Sequence, residues 1–211
     1  MPDKMPRPRC LLVPGLNNSG PRHWQSRWEV IRDDCFRVDL GAWSNPHRSH
    51  WVTKLDLQIA QEQAPVILVA HSLGCLAIAW WTALASPDRL TRVVGAMLVA
   101  PPDVENPEAH EILRRFAPAP LVQFPFPAVL VASRDDNYAS FDRSGLFARR
   151  WGVDLHDAGQ AGHLNADSFL GDWSEGQLIL DKLIGSSATS AMQNQGPHVS
   201  APNDRAGLRG H

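Results

Sequence analysis

The sequence predicts an α/β fold: one sheet of about six mainly parallel strands, with helices on both faces. Three observations predict it. Short apolar runs at 10–13, 35–40, 66–70, 93–100, 128–132 and 153–156 alternate with helix-like stretches at 23–31, 50–63, 73–85, 107–116, 141–151 and 174–184. Such alternation favours βαβ crossovers and parallel pairing. Several runs, Val66-Ile-Leu-Val-Ala70 above all, are apolar throughout rather than at every second residue, as strands covered on both faces are. The 73–85 stretch, with Leu76, Ile78, Ala79, Trp80 and Ala83, leaves little polar surface and is expected to lie buried against the sheet.

Taken in order, the first run ends at Pro14-Gly15, a turn signal. The third run meets Ser72, and a helix begins at once behind it. The 107–116 helix is weakly patterned. Pro118 to Pro127 is proline-rich and reads as an extended loop entering the fifth strand. A final helix at 174–184 follows the sixth strand. From about Ser186 the chain becomes rich in Ser, Gly, Asn and Pro, with few large apolar residues. Such a segment buries too little surface to offset the entropy of ordering. The reading is one domain over 8–185 and a disordered tail over 186–211. No internal repeat is visible.

Composition narrows the function. A hydrophobic fraction of 44% suits a globular core, and 20 Lys+Arg against 22 Asp+Glu form no basic stripe, so nucleic-acid binding is not expected. No apolar run approaches the roughly 20 residues of a membrane span, so no membrane association is expected. The N-terminal MPDKMPRPRC lacks an apolar stretch, so no secretory signal is expected. Cys10, Cys35 and Cys75 are odd in number and form no CxxC. They read as reduced thiols of a cytoplasmic protein, without histidines at metal-binding spacing. A monomer is the default expectation.

Ala70-His-Ser72-Leu-Gly74 has the small-x-Ser-x-small form of a nucleophile elbow, in which small residues let strand and helix close around a strained serine. The bland alternative is that Ser72 only caps the following helix. A catalytic serine needs a histidine to take its proton and an acid to orient that histidine, in the chain order Ser, acid, His on this kind of scaffold. Nine histidines are present, so position must select. His163 lies just past the sixth strand in the Gly-rich Asp157-Ala-Gly-Gln-Ala-Gly-His163. His23, His47, His50 and His110 precede the acid or sit in the wrong loops. His156 lies in the last strand, His198 and His211 lie in the tail, and His71 points away from Ser72 by strand alternation. The acid follows the fifth strand in Ser133-Arg-Asp-Asp-Asn-Tyr138. With Ser133 closing the strand, Asp136 is favoured, and Asp135 becomes a neighbour. An oxyanion hole needs two backbone N–H groups. Leu73 supplies one. Leu16, after Pro14-Gly15, supplies the other, with Gly15 permitting an unusual backbone there.

Four blocks, VPGLNNSGPRHWQSRWE (13–29), VAHSLGC (69–75), ASRDDNYASFDR (132–143) and WGVDLHDAGQAGHLNADSFLGDWSEG (151–176), resemble the small serine hydrolases of the retinoblastoma-binding-protein and YdeN-like family, a branch of the α/β-hydrolase superfamily. The resemblance covers nearly all of 9–185. It implies an α/β-hydrolase fold with strand order 2-1-3-4-5-6 and a triad of Ser72, Asp136 and His163. It favours Asp136 because the family usually has Asp-Pro-Tyr where this chain has Asp136-Asn137-Tyr138. Phe169 stands where a Gly is common.

The expected enzyme is a serine hydrolase of carboxylesterase type, acting on a small-molecule acyl substrate through an acyl-enzyme and needing no metal or organic cofactor. The 101–127 segment is too short for a large cap domain. Trp24 and Trp43 lie near loops able to reach the site, whereas Trp80, Trp81 and Trp151 read as packing residues. His23 and Trp24 are read as structural, with a place in the oxyanion-side wall as the alternative. Two other functions are compatible with the pattern: a protein-binding module on the same scaffold, and acyl transfer to an acceptor other than water.

Overall fold

A computed structural model describes residues 6–193. Its sheet is built from β1 (Arg9–Val13), β2 (Cys35–Arg37), β3 (Val66–His71), β4 (Val93–Val99), β5 (Ala128–Ala132) and β6 (Asp154–Asp157). All pairings are parallel and the order is β2-β1-β3-β4-β5-β6. The helices are α1 (Trp24–Ile31), α2 (Arg48–Gln61), α3 (Leu73–Leu84), α4 (Pro87–Leu90), α5 (Glu111–Arg114), α6 (Phe141–Trp151) and α7 (Ser174–Gln193). A 3₁₀ turn spans Ala166–Ser168.

The alternation of side chains along the strands divides the core in two. Leu11, Val13, Leu68, Ala70, Leu98 and Leu130 pack on one face against Trp51 and Leu55 of α2, α3, and Phe147 and Trp151 of α6. Cys10, Leu12, Ile67, Val69, Met97 and Val99 pack on the other against Trp24 and Trp28 of α1 and Leu180 and Leu183 of α7. β3, central in the sheet, is buried at every residue. This explains its unbroken apolar run. The result is a three-layer α/β fold with no large cap: only α5 and loops lie between β4 and β5. Among the described residues no helix is long and apolar enough to cross a membrane.

Several boundaries differ from the sequence reading. β2 stops at Arg37 rather than residue 40. Val38 N–H still donates to Leu12 O, and Gly41 (φ 63°) then turns the chain away. The weak 107–116 helix is only the four-residue α5, started by His110, whose side chain accepts from Ile112 N. α4 was not foreseen; its signal is Ser86 as N-cap and Pro87 in the first turn. The last helix, expected to end at 184, continues to Gln193. Extending an existing helix needs no new nucleus, and no Gly or Pro interrupts 186–193. The rest of the expected tail, 194–211, lies outside the described residues.

Trp81 and Trp151 are core residues. Trp80 is half-buried, its Nε1 donating to Phe116 O and its ring stacked beneath the Arg48 guanidinium. Trp24, read as structural, is buried beneath the site. With Trp28 and Trp173 it forms an aromatic cluster, and its Nε1 donates to Leu164 O at 2.9 Å. Trp43 is half-buried and packs on Trp51.

Candidate active site

Ser72 joins β3 directly to α3. Its backbone, at φ 54° and ψ −125°, lies in a region that side chains disfavour. Such strain persists only where the surroundings over-determine it, and two glycines show how tightly they do. A Cβ on Gly74 would lie 2.4 Å from Val13 O and 2.7 Å from Pro14 O. A Cβ on Gly15 would lie 2.8 Å from Ser72 Cβ and 3.3 Å from Leu73 N. The expectation that Gly15 supplies an unusual backbone is corrected: the left-handed residues of that loop are Asn17 and Asn18, and Gly15 is needed for close approach. Ser72 occupies the N-cap position of α3 but makes no capping bond. Its Oγ is free and instead donates to His163 Nε2 at 2.9 Å.

On the far side of the ring, His163 Nδ1 lies 2.9 Å from both oxygens of Asp136. A carboxylate there fixes the Nδ1–H tautomer and leaves Nε2 as the acceptor for the serine proton. Both side chains are largely buried, 10% exposed for His163 and 4% for Asp136. Asp135, the competing acid, points elsewhere. Its Oδ1 accepts from Ser133 Oγ at 2.6 Å and from Gly162 N at 2.8 Å, which ties the β5 turn to the histidine loop.

That loop is held on three sides. Ala161 N donates to Ser133 Oγ, Trp24 to Leu164 O, and His71 Nε2 to His163 O at 2.9 Å. His71 lies on the face of β3 opposite Ala70 and packs against His23, Trp24 and His163. The Tyr138 ring covers His163 from above, with centroids 4.2 Å apart. Gln25, fully buried, donates to Val13 O and Val69 O and so ties the ends of β1 and β3 together beside the elbow. Sequence reasoning missed His71, Tyr138 and Gln25 as site supports. The one available signal was Gln25, a polar residue on the buried face of an amphipathic helix.

Leu16 lines the cavity over Ser72, and Leu73 heads α3, where the first N–H groups have no acceptor within the helix. The cavity measures about 270 Å³.

Burial depresses the acidity range of two histidines around it. His23 falls to about 4, chiefly through burial and then through the charges of Arg37 and His163. His71 falls well below the usual histidine value, again chiefly through burial, then through His23 and His163. Both are neutral in the fold, while in the unfolded chain they take protons below about pH 6.5. The stability they carry is therefore intact above about 6.5 and is lost as pH falls toward 4. Urea unfolding midpoints are expected to drop steadily from pH 7 to pH 4.5. A flat profile over that range would contradict the neutral-histidine assignment.

All three cysteines are free and buried. Cys10 and Cys35 face each other across β1 and β2, and with Asp34 they form a group whose ligand atoms lie within 4.8 Å. The Asp34 carboxylate is paired with Arg32 and Arg7.

The profile of the family described as serine hydrolase matches residues 10–182. A YdeN-like hydrolase from Pectobacterium atrosepticum superposes with TM-score 0.75 at 31% identity, over 86% of this chain and 92% of that one. The ydeN gene product of B. subtilis gives TM-score 0.66 at 18% identity, over 84% and 99%. Est1E from Butyrivibrio proteoclasticus gives 0.60 at 12% identity, over 93% and 91%, a likeness of fold alone. No curated protein matches the sequence.

Proposed function

The chain belongs to the serine hydrolase family, its YdeN-like branch of the α/β-hydrolases, and from that premise we propose that it is a carboxylesterase-like enzyme acting on small, accessible acyl esters with Ser72 as nucleophile. The observation that carries this reading is the continuous relay Asp136–His163–Ser72, every link at 2.9 Å, on a serine whose Oγ has no capping role.

His163 Nε2 takes the proton of Ser72 as Oγ attacks the acyl carbonyl. Negative charge develops on the carbonyl oxygen, facing the N–H groups of Leu16 and Leu73. One such donor is typically worth about 3–4 kcal/mol of barrier. Asp136 holds the ring and stabilises its cation. The imidazolium then protonates the departing alcohol, leaving an acyl-enzyme. Water, activated by the same ring, attacks the acyl carbon and restores Ser72. With only α5 and loops between β4 and β5, nothing on the scale of a cap domain shields the site from water, which favours hydrolysis over transfer to another acceptor.

Two neighbouring acids give a discriminating test with p-nitrophenyl acetate. Asp136→Asn is expected to lower kcat by about 10³- to 10⁴-fold, because it leaves His163 in the wrong tautomer. Asp135→Asn is expected to cost no more than about tenfold, since it perturbs the loop rather than the ring. Equal losses, or the larger loss at Asp135, would remove Asp136 from the relay.

A further inference from the structure

The wall of the cavity beside Ser72 is unusual in which hydrogen-bonding atoms it leaves free. His23, Asn18 and Asn165 all line it. His23 is 4% exposed and starts α1, its Nδ1 accepting from Gln25 N at 3.2 Å. An Nδ1 that accepts leaves the ring proton on Nε2, and that buried N–H has no partner among the described residues. The Asn18 Oδ1 accepts from Ser19 N and from Arg37 Nη1. The Asn165 Oδ1 accepts from Asp167 N. In both, the acceptor end of the amide is engaged by the fold, so the amino end is the one left to face a ligand. The Arg37 guanidinium, shared with Glu29, stands behind Asn18. Among the described residues no carboxylate lines the cavity, and Asp136 is turned to His163. Ser72 and Tyr138 contribute hydroxyls, and a hydroxyl can donate as well as accept.

We propose that the substrate carries, beyond its scissile ester, an oxygen acceptor with no proton of its own, a carbonyl or carboxylate oxygen, received by the N–H groups of His23, Asn18 and Asn165. A buried N–H left unpaired is unfavourable, so a ligand that supplies its acceptor gains over an isosteric alkyl chain that cannot. His23 is then a specificity residue of the acyl pocket. The inference rests on the esterase reading of the same site.

The test compares hydrolysis of methyl pentanoate, methyl 4-oxopentanoate and monomethyl glutarate by the full chain, alongside fluorophosphonate labelling of Ser72. At least one acceptor-bearing ester is expected to exceed methyl pentanoate tenfold or more in kcat/KM. Which of the two leads tells whether a neutral carbonyl or a carboxylate is preferred. His23→Asn keeps an acceptor for Gln25 N–H and withdraws the Nε2 donor. It is expected to narrow the preference at least fivefold, and an unchanged preference removes His23 from the pocket assignment. Equal rates on all three esters, or turnover of none by an enzyme that still labels, overturn the substrate class and leave the triad standing. Loss of labelling in the wild type overturns both.

Discussion

Replacing Ser72 by alanine is expected to remove ester turnover by about 10⁴- to 10⁶-fold while leaving the protein folded. The two effects separate because of how the elbow is built. Alanine also carries a Cβ, so the strained backbone at φ 54° is no worse than with serine. The hydroxyl that is lost donates to His163 and to nothing that holds the fold together. The urea midpoint is expected to shift by no more than about 1 kcal/mol of stability, the worth of one such hydrogen bond. Retained activity in a folded variant would remove Ser72 as nucleophile.

The second large effect is on folding. Gly74→Ala places a methyl 2.4 Å from Val13 O and 2.7 Å from Pro14 O. Both are backbone atoms at the end of β1, held by pairing with β3, so neither can rotate away as a flexible side chain would. Overpacking of a rigid site typically costs 1–3 kcal/mol and sometimes more. Here about 3 kcal/mol or more is expected, a large part of the 5–15 kcal/mol that holds a typical domain. The displaced loop carries Leu16, so any folded fraction is expected to be poorly active as well. Urea unfolding and p-nitrophenyl acetate turnover of the same preparation read both effects. A wild-type midpoint would show that strand and helix do not approach as closely as described.

Much of this architecture was legible in the sequence, for physical reasons. β3 is covered on both faces and so announced itself as an unbroken apolar run ending in a serine. His163 and Asp136 could be placed because both follow strands, where the fold must present its loops. What stayed hidden was tertiary. Asp136 was favoured over Asp135 from its place in the loop, but what turns Asp135 away from the ring, two bonds from Ser133 and Gly162, is encoded in no local pattern. His71 and His23 belong to no common motif and are far apart in the chain; their rings meet, centroids 4.6 Å apart, only in the folded structure. The reach of α7 was missed because composition reports the lack of apolar burial after Ser186 and says little about the ease of continuing a helix already formed.

The central claim is that Ser72 is activated by His163, and a fluorescent fluorophosphonate tests it directly. Wild type is expected to label, Ser72→Ala not at all, and His163→Ala only slowly. Labelling that persists in Ser72→Ala, or a well-folded wild type that does not label, would contradict it.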